Sequence, residues 1–404
     1  MRTRADAIPD TTTVTRKLLE YCRSQGWAGY DPYDALNSPL LTSLPFLQAR
    51  VPRLLLTQAF KRSPINIRPL ARIPRTQNPK AIALFLIAVL RLTKLGALED
   101  DTLAPLLTAR LAALRSPDAR YWCWGYSFPW QTRTQVIAKG SPNLVCTAFA
   151  GAALLDAYEA TRDESCLQMA ISAADYVLDC LYWNDGGSAG FSYPQPSLRL
   201  HIHNANFLGA AFLCRVYTLT GERRFLEPAL TAARYSAWRQ RADGSWPYGE
   251  TRTQQWIDNF HTGYDLCALR SIARDAFTPE FDECVRRGFE FYRDHFIRED
   301  GAARYYHDRT YPIDIHSVAQ TVITLCTLRD LDPRAVCLAR TVFQWAVRHM
   351  RDERGFFYYR VLRFGTIRTP YLRWAQAWML LAGSILLGED AAADHVGAAA
   401  REVA

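Results

Sequence analysis

Four short polar clusters hold the residue types that can move protons. They are His201-Ile202-His203-Asn204-Ala205-Asn206, Trp256 through Tyr264, Tyr311 through Gln320, and Arg368 through Gln376. Four of the eight histidines lie in the first three clusters. An imidazole exchanges its proton near neutral pH, and a neighbouring carboxylate can orient it or act beside it as an acid or base. That pairing recurs, as Asp258 with His261 and as Asp314 with His316. With Tyr264 these are the candidate catalytic residues. Each also has a plain structural reading: Asp258, Asn259 and Asp314 suit helix N-caps, and a single histidine suits a satisfied core position. The recurrence at equivalent places favours chemistry. His203, His261 and His316 are a conceivable metal set, but no His-x-x-x-His or Cys-x-x-Cys spacing accompanies them, so neither metal nor cofactor is expected.

A second set of residues suits binding. Gly-plus-aromatic turns stand at Gly190 to Tyr193, Gly244 to Tyr248, Gly301 to Tyr306 and Gly355 to Tyr359, with a divergent version from Trp122 to Tyr126. Their rings are either core plugs or platforms for the apolar C–H faces of sugars. Trp124, Tyr126, Tyr193, Trp246, Tyr248, Tyr306 and Tyr359 are therefore candidate contacts. His203, Asn206, Arg360 and Arg373 join them as polar partners, the two arginines for an anionic group.

These clusters must be positioned by something regular. Apolar helical stretches begin near Asn143, His203, Asp258, Asp314 and Tyr371, a period of roughly 55 to 60 residues. Between Thr147–Tyr158, Ala205–Thr218, Thr262–Ala273 and Ser317–Leu328 the pattern is apolar nearly all round. Between Glu164–Leu181, Arg224–Arg239, Pro279–Phe296 and Arg334–His349 it alternates with charge. The first kind is enclosed by other helices and the second faces water. Helices are also expected over Thr13–Cys22, Leu40–Phe60, Pro79–Leu95, Asp101–Leu114 and Tyr371–Leu387. The expected fold is all-α, an (α/α)6 toroid of six helical hairpins. It reads as one domain over residues 1–388, closed by the N-terminal helices and the last helix, followed by a flexible tail over 389–404. In such a ring the connections entering the inner helices gather at one mouth, which is where the polar clusters fall.

The 404 residues are 49% apolar and 22% charged, enough for a large core and unlike a disordered chain. The formal charge of +8 favours acidic partners. Without a run of basic residues, no nucleic-acid tail is indicated. The cysteines, spread among apolar positions, suit reduced buried thiols. No apolar signal segment opens the chain, and Ala81–Leu90 is too short to span a bilayer, so a cytoplasmic protein without a membrane span is expected.

Three segments resemble bacterial proteins of the VpsJ type, found among exopolysaccharide and capsule biosynthesis genes: Tyr30-Asp31-Pro32-Tyr33-Asp34-Ala35-Leu36-Asn37-Ser38, Trp256 through Tyr264, and Pro312-Ile313-Asp314-Ile315-His316. The resemblance implies an (α/α)6 toroid in a polysaccharide setting and no assigned reaction. An aminolevulinate-dehydratase label attached to some such proteins has no matching Lys pair or Cys cluster here. Asp243-Gly244-Ser245-Trp246-Pro247-Tyr248 with Phe260-His261 is more loosely similar to the C-terminal domain of glucuronyl C5-epimerases. The Asp-Gly-Ser-Trp stretch also resembles the repeats of squalene-type cyclases, whose Asp-x-Asp-Asp acid motif is missing. The expected function is modification of an acidic, uronate-containing oligo- or polysaccharide by epimerisation, β-elimination or hydrolysis. The alternatives are a non-catalytic glycan-binding or assembly factor and an isoprenoid cyclase-like enzyme.

Overall fold

The computed structural model describes residues 9–132 and 135–402. The residues before position 9, part of the segment read as lacking a leader, lie outside those described. The chain opens with α1 (Thr11–Ser24), the single turn α2 (Pro39–Thr42) and α3 (Arg50–Arg62). Hairpins follow: α4 (Pro79–Lys94) with α5 (Leu103–Ala113), α6 (Leu144–Thr161) with α7 (Glu164–Tyr176), and α8 (His203–Thr220) with α9 (Arg223–Ala237). Then come α10 (Asn259–Asp275) with α11 (Asp282–Phe296), α12 (Ile315–Thr327) with α13 (Ala335–Met350), and finally α14 (Ala377–Glu402).

The even-numbered helices from α4 to α14 each pack on the next, and α14 packs back on α4, so the inner ring closes. Their partners α5, α7, α9, α11 and α13 pack outside, and α1 lies against α14 as the remaining outer element. This is the (α/α)6 toroid the periodicity predicts. The inner helices are rich in Ala and small side chains because two flanking helices and an outer one must approach them closely. Gly151 shows the tolerance: a Cβ there would sit 2.3 Å from the Phe212 ring of α8.

Local chemistry sets the ends of these helices. Asn78, Asn143, Asp258 and Asp314 accept hydrogen bonds from first-turn N–H groups of α4, α6, α10 and α12. The aromatic turns at Gly244, Gly301 and Gly355 begin with left-handed glycines, whereas Gly190 lies in a short strand. Gly244 and Gly301 both have φ of +88°, and a Cβ on Gly244 would meet the Arg287 carbonyl at 2.4 Å.

One expectation needs correction. The helix predicted over Leu40–Phe60 breaks between α2 and α3, because Pro45 has no N–H to donate and drives Leu44 to extended backbone at ψ 123°. Beyond Gly388, α14 continues to Glu402, as its Ala-rich composition permits. The short strands are local: Ile313–Asp314 pairs with Arg360–Leu362, which pairs with Gly365–Ile367, placing Asp314 opposite Arg360.

Candidate functional site

Because the inner helices run parallel to one another around the ring, their N-terminal turns meet at one end. A cavity of about 300 Å³ opens there. Every inner helix or its entering turn contributes to it: Lys80 from α4, Val145 from α6, Asn204 from α8, His261 from α10, His316 from α12, and Trp374 just ahead of α14. The positive ends of these helices face the same space, which favours an anionic occupant.

Asp258 and His261 form one unit. The carboxylate accepts the His261 backbone N–H at 3.0 Å, His261 Nδ1 at 2.7 Å and the Trp256 indole N–H at 2.9 Å. The cap of α10 thereby also orients an imidazole. With Nδ1 held, Nε2 is the nitrogen left for a substrate in the cavity, as in the carboxylate–imidazole pairs of general-base sites. The Asp258 side chain is 1% exposed and that of His261 is 21% exposed, so the base meets the cavity while its carboxylate stays behind it.

A second proton-bearing pair stands nearby. The Tyr264 hydroxyl lies 2.5 Å from His316 Nε2. Burial, then the neighbouring cations Lys80 and Arg373, holds the His316 imidazole well below its usual range. Burial likewise raises the Tyr264 phenol well above its usual value. The pair is therefore neutral at physiological pH, with the phenol protonated. Phe260 stacks on His316 at 4.6 Å and contacts His261 at 4.1 Å, fixing both rings from one side.

Lys80 is the side chain that sequence reading missed. It is buried, with its ammonium 4.2 Å from the Phe149 ring, 5.1 Å from Trp378 and 5.2 Å from Tyr264. Among the described residues it has no carboxylate partner. Burial, then the positive charge of Arg373, lowers its pKa to about 7. Its signal was present: one charge at the second position of α4, in a stretch otherwise apolar all round. Trp256, Phe260 and Trp374, which also line the cavity, were within the polar clusters but not singled out.

Of the residues expected to build a site, Asp258, His261, Tyr264, His316, Tyr126, Tyr193, Tyr248, Tyr306 and Arg373 line this cavity. Tyr248 stacks on Trp256 at 4.5 Å, a flat face of the kind sugars use. The others stand behind the wall. Trp124 and Trp246 are core plugs whose indole N–H groups donate to the Leu111 and Ser236 carbonyls. His203 and Asn206 both bond the Ser236 hydroxyl, and Asn206 also accepts from the Phe191 N–H. Tyr359 is wholly buried against Tyr371. Asp314 accepts from Arg360 and from the Trp374 indole at 2.9 Å, so it braces the cavity wall and neutralises Arg360. Arg373 keeps its place in the lining, but both its Nε and a terminal nitrogen are held by Asp31 at 2.6 and 2.8 Å. Apart from Tyr359, which is held by ring packing, the physical reason is common: a buried polar group must find a partner, and these found theirs in the protein. Among the described residues no group of three or more His, Cys, Asp or Glu side chains gathers as a metal cage.

No family model matches the chain, and no curated protein matches its sequence. Solved structures do match in fold. An unsaturated glucuronyl hydrolase specific for heparin is 12% identical over 94% of this chain and 96% of its own, with a TM-score of 0.64. Cellobiose 2-epimerase from Bacillus thermoamylovorans is 11% identical over 94% and 99%, with a TM-score of 0.63. Unsaturated glucuronyl hydrolase from Bacillus sp. GL1 is 16% identical over 93% and 94%, with a TM-score of 0.60. These likenesses establish the shared toroid.

Proposed function

We propose that this protein moves a proton on and off the carbon beside the carboxylate of a uronate residue in an acidic glycan. The observation that carries the reading is one cavity holding an oriented His261–Asp258 pair, a protonated Tyr264 on His316, and Lys80 without a carboxylate partner. His261 Nε2 takes the C5 proton, and Asp258 stabilises the imidazolium that forms. The charge that develops on the substrate carboxylate as an enolate meets the Lys80 ammonium in a poorly solvated site. Return of a proton to the opposite face, from Tyr264, gives the C5 epimer. Departure of the group on C4 gives the β-elimination product of the same first step.

Hydrolysis by paired carboxylates finds less support. A glycosidase needs two carboxyl groups across the scissile bond. Asp258 is the one carboxylate among the described lining residues, and it is committed to His261 and Trp256. An isoprenoid cyclase needs a free acid above an apolar chamber, whereas Asp258 and Asp314 are both engaged acceptors. The fold-neighbours named as glucuronyl hydrolases and cellobiose epimerases support a sugar ligand, the former an acidic one. The proposed setting is cytoplasmic exopolysaccharide or capsule assembly in bacteria, which rests on the motif resemblance around Asp31, Asp258 and Asp314.

The test is hydrogen exchange. Glucuronate-containing oligosaccharides incubated with the protein in D2O are expected, by NMR, either to gain deuterium at an inverted C5 or to lose the C5 proton to a new C4=C5 double bond. His261→Ala is expected to slow exchange by roughly 10²-fold or more, and neutral oligosaccharides of the same length should not exchange. Tight binding of the acidic glycan with neither exchange at C5 nor a C4=C5 product would assign the cavity to glycan holding without chemistry. Unchanged exchange in His261→Ala would remove that residue as the base.

A further inference from the structure

Between Asp34 and Glu99 the chain contains no acidic residue and ten basic ones. The middle of this stretch is the α2–α3 segment with the loop that follows it. Here the exposure pattern departs from the rest of the surface. Leu40, Phe46, Val51, Leu55, Ile65 and Leu70 are all exposed, the last at 83%. They account for six of the fourteen exposed large hydrophobic side chains among the described residues, within a span of 31 residues. Val51 and Leu55 stand one turn apart on the same face of α3. That helix has a buried side, where Phe60 joins Ala35, Ala71 and Ile73 in a small satellite core. The outward face is therefore apolar while the inward face is already satisfied.

Interleaved with these side chains are the exposed bases Arg50, Arg62, Arg72 and Arg75. None of them has a carboxylate partner among the described residues, in contrast to Arg286 on α11, which pairs with both Glu283 and Glu290. Apolar side chains flanked by unpaired bases, without any acid, complement a surface that is negatively charged outside and apolar beneath.

The segment also adjoins the cavity. Lys61 at the end of α3 donates to the hydroxyl of Tyr33, a lining residue, at 2.6 Å. Arg53 donates to Gln131 at 2.7 Å, next to Trp130 in the lining. The rim of the site and this face are one continuous piece of structure.

We propose that residues 39–75 are a membrane-docking face, which seats the cavity entrance on a bilayer surface containing anionic lipid. The contact is peripheral. Leu55, Phe46 and their neighbours enter the headgroup boundary, and the arginines pair with lipid phosphates. A glycan presented at that surface reaches the cavity without leaving it.

The experiment is vesicle co-sedimentation of the full chain, with phosphatidylcholine vesicles and with the same vesicles containing phosphatidylglycerol. The chain is expected to sediment with the anionic vesicles only, and added salt should release it. The pairs Val51→Glu/Leu55→Glu and Arg62→Glu/Arg72→Glu are each expected to lower binding by about tenfold or more. Phe277→Glu and Phe364→Glu, on exposed hydrophobics elsewhere, should bind as the unaltered chain does, and far-UV circular dichroism reports whether each variant is folded. Absence of binding to anionic vesicles, equal binding to neutral ones, or undiminished binding by folded variants of the first two pairs would overturn the proposal. So would light scattering that shows a dimer which Val51→Glu/Leu55→Glu dissociates, because the face would then belong to a second copy. The outcome does not depend on the reaction, since vesicle binding is read without substrate.

Discussion

Lys80 gives the sharpest quantitative test, because keeping a cation where it sits costs stability. Its pKa falls from 10.5 to about 7 in the folded protein, burial being the main cause and Arg373 the second. A base whose folded pKa is depressed imposes no penalty above the unfolded value. The penalty grows as pH falls from 10.5 towards 7 and is constant below that, because both states are then protonated. From linkage it amounts to about 2 kcal/mol at pH 9 and about 4 kcal/mol at pH 7. The aromatic rings around the ammonium return part of this through cation–π attraction, so these are upper figures. Methionine has nearly the same shape and no charge. Lys80→Met is therefore expected to be more stable than the unaltered protein at pH 7, and its advantage should be about 2 kcal/mol smaller at pH 9. Urea denaturation of both proteins at the two pH values measures it. The other titrating or charged groups around this position, namely Arg373, Asp31, Cys146, Tyr264, His261 and His316, are common to both proteins and largely cancel in the difference. The same variant should lose affinity for acidic glycan. A stability gain coupled to a functional loss is what a site residue retained for its ligand must show. A Lys80→Met protein that is destabilised at pH 7, or a difference that does not change between pH 7 and 9, refutes the reasoning.

Two further outcomes follow from buried groups outside the cavity chemistry. His203 has its pKa lowered from 6.5 to about 4 by burial, so the folded state holds it neutral. The stability it contributes is full above pH 6.5 and is lost as pH falls towards 4, about 2 kcal/mol of it by pH 5. His203→Gln should flatten the pH dependence of the urea midpoint by that amount, and an unchanged dependence contradicts the assignment. The Asp31–Arg373 pair ties the N-terminal loop to the turn that enters α14. Asp31→Ala is expected to cost about 3–5 kcal/mol by leaving a buried guanidinium unpaired, and Asp31→Ala/Arg373→Met less than that single change. A double-mutant cycle by thermal or urea melting checks it, with equal losses in single and double variants as the contrary result.

How much of this was legible beforehand follows the range of the forces involved. Helix periodicity is a local property, and five inner-helix starts near Asn143, His203, Asp258, Asp314 and Tyr371 were readable because capping and apolar patterning act within a few residues. Closure of the ring followed from the repeat, since each hairpin has an apolar face that only a neighbour can cover. The grouping of Asp258, His261, Tyr264 and His316 was readable too, as their positions at helix starts place them at one mouth. What partners a buried charge, however, depends on atoms far away in the chain. Asp31 and Arg373 are 342 positions apart and neutralise each other. Arg360 meets Asp314 only because a strand pair sets them opposite. Trp124 and Trp246 look from composition like sugar platforms, but outer-helix carbonyls claim their indole N–H groups. Lys80 is the converse: an unremarkable lysine in one dimension, it is left by the packing as the cavity's cation without a carboxylate partner. Local pattern thus determined the helices and the mouth on which chemistry gathers. Desolvation and long-range pairing, which exist only once the ring has closed, decided which charges at that mouth remain available to a ligand.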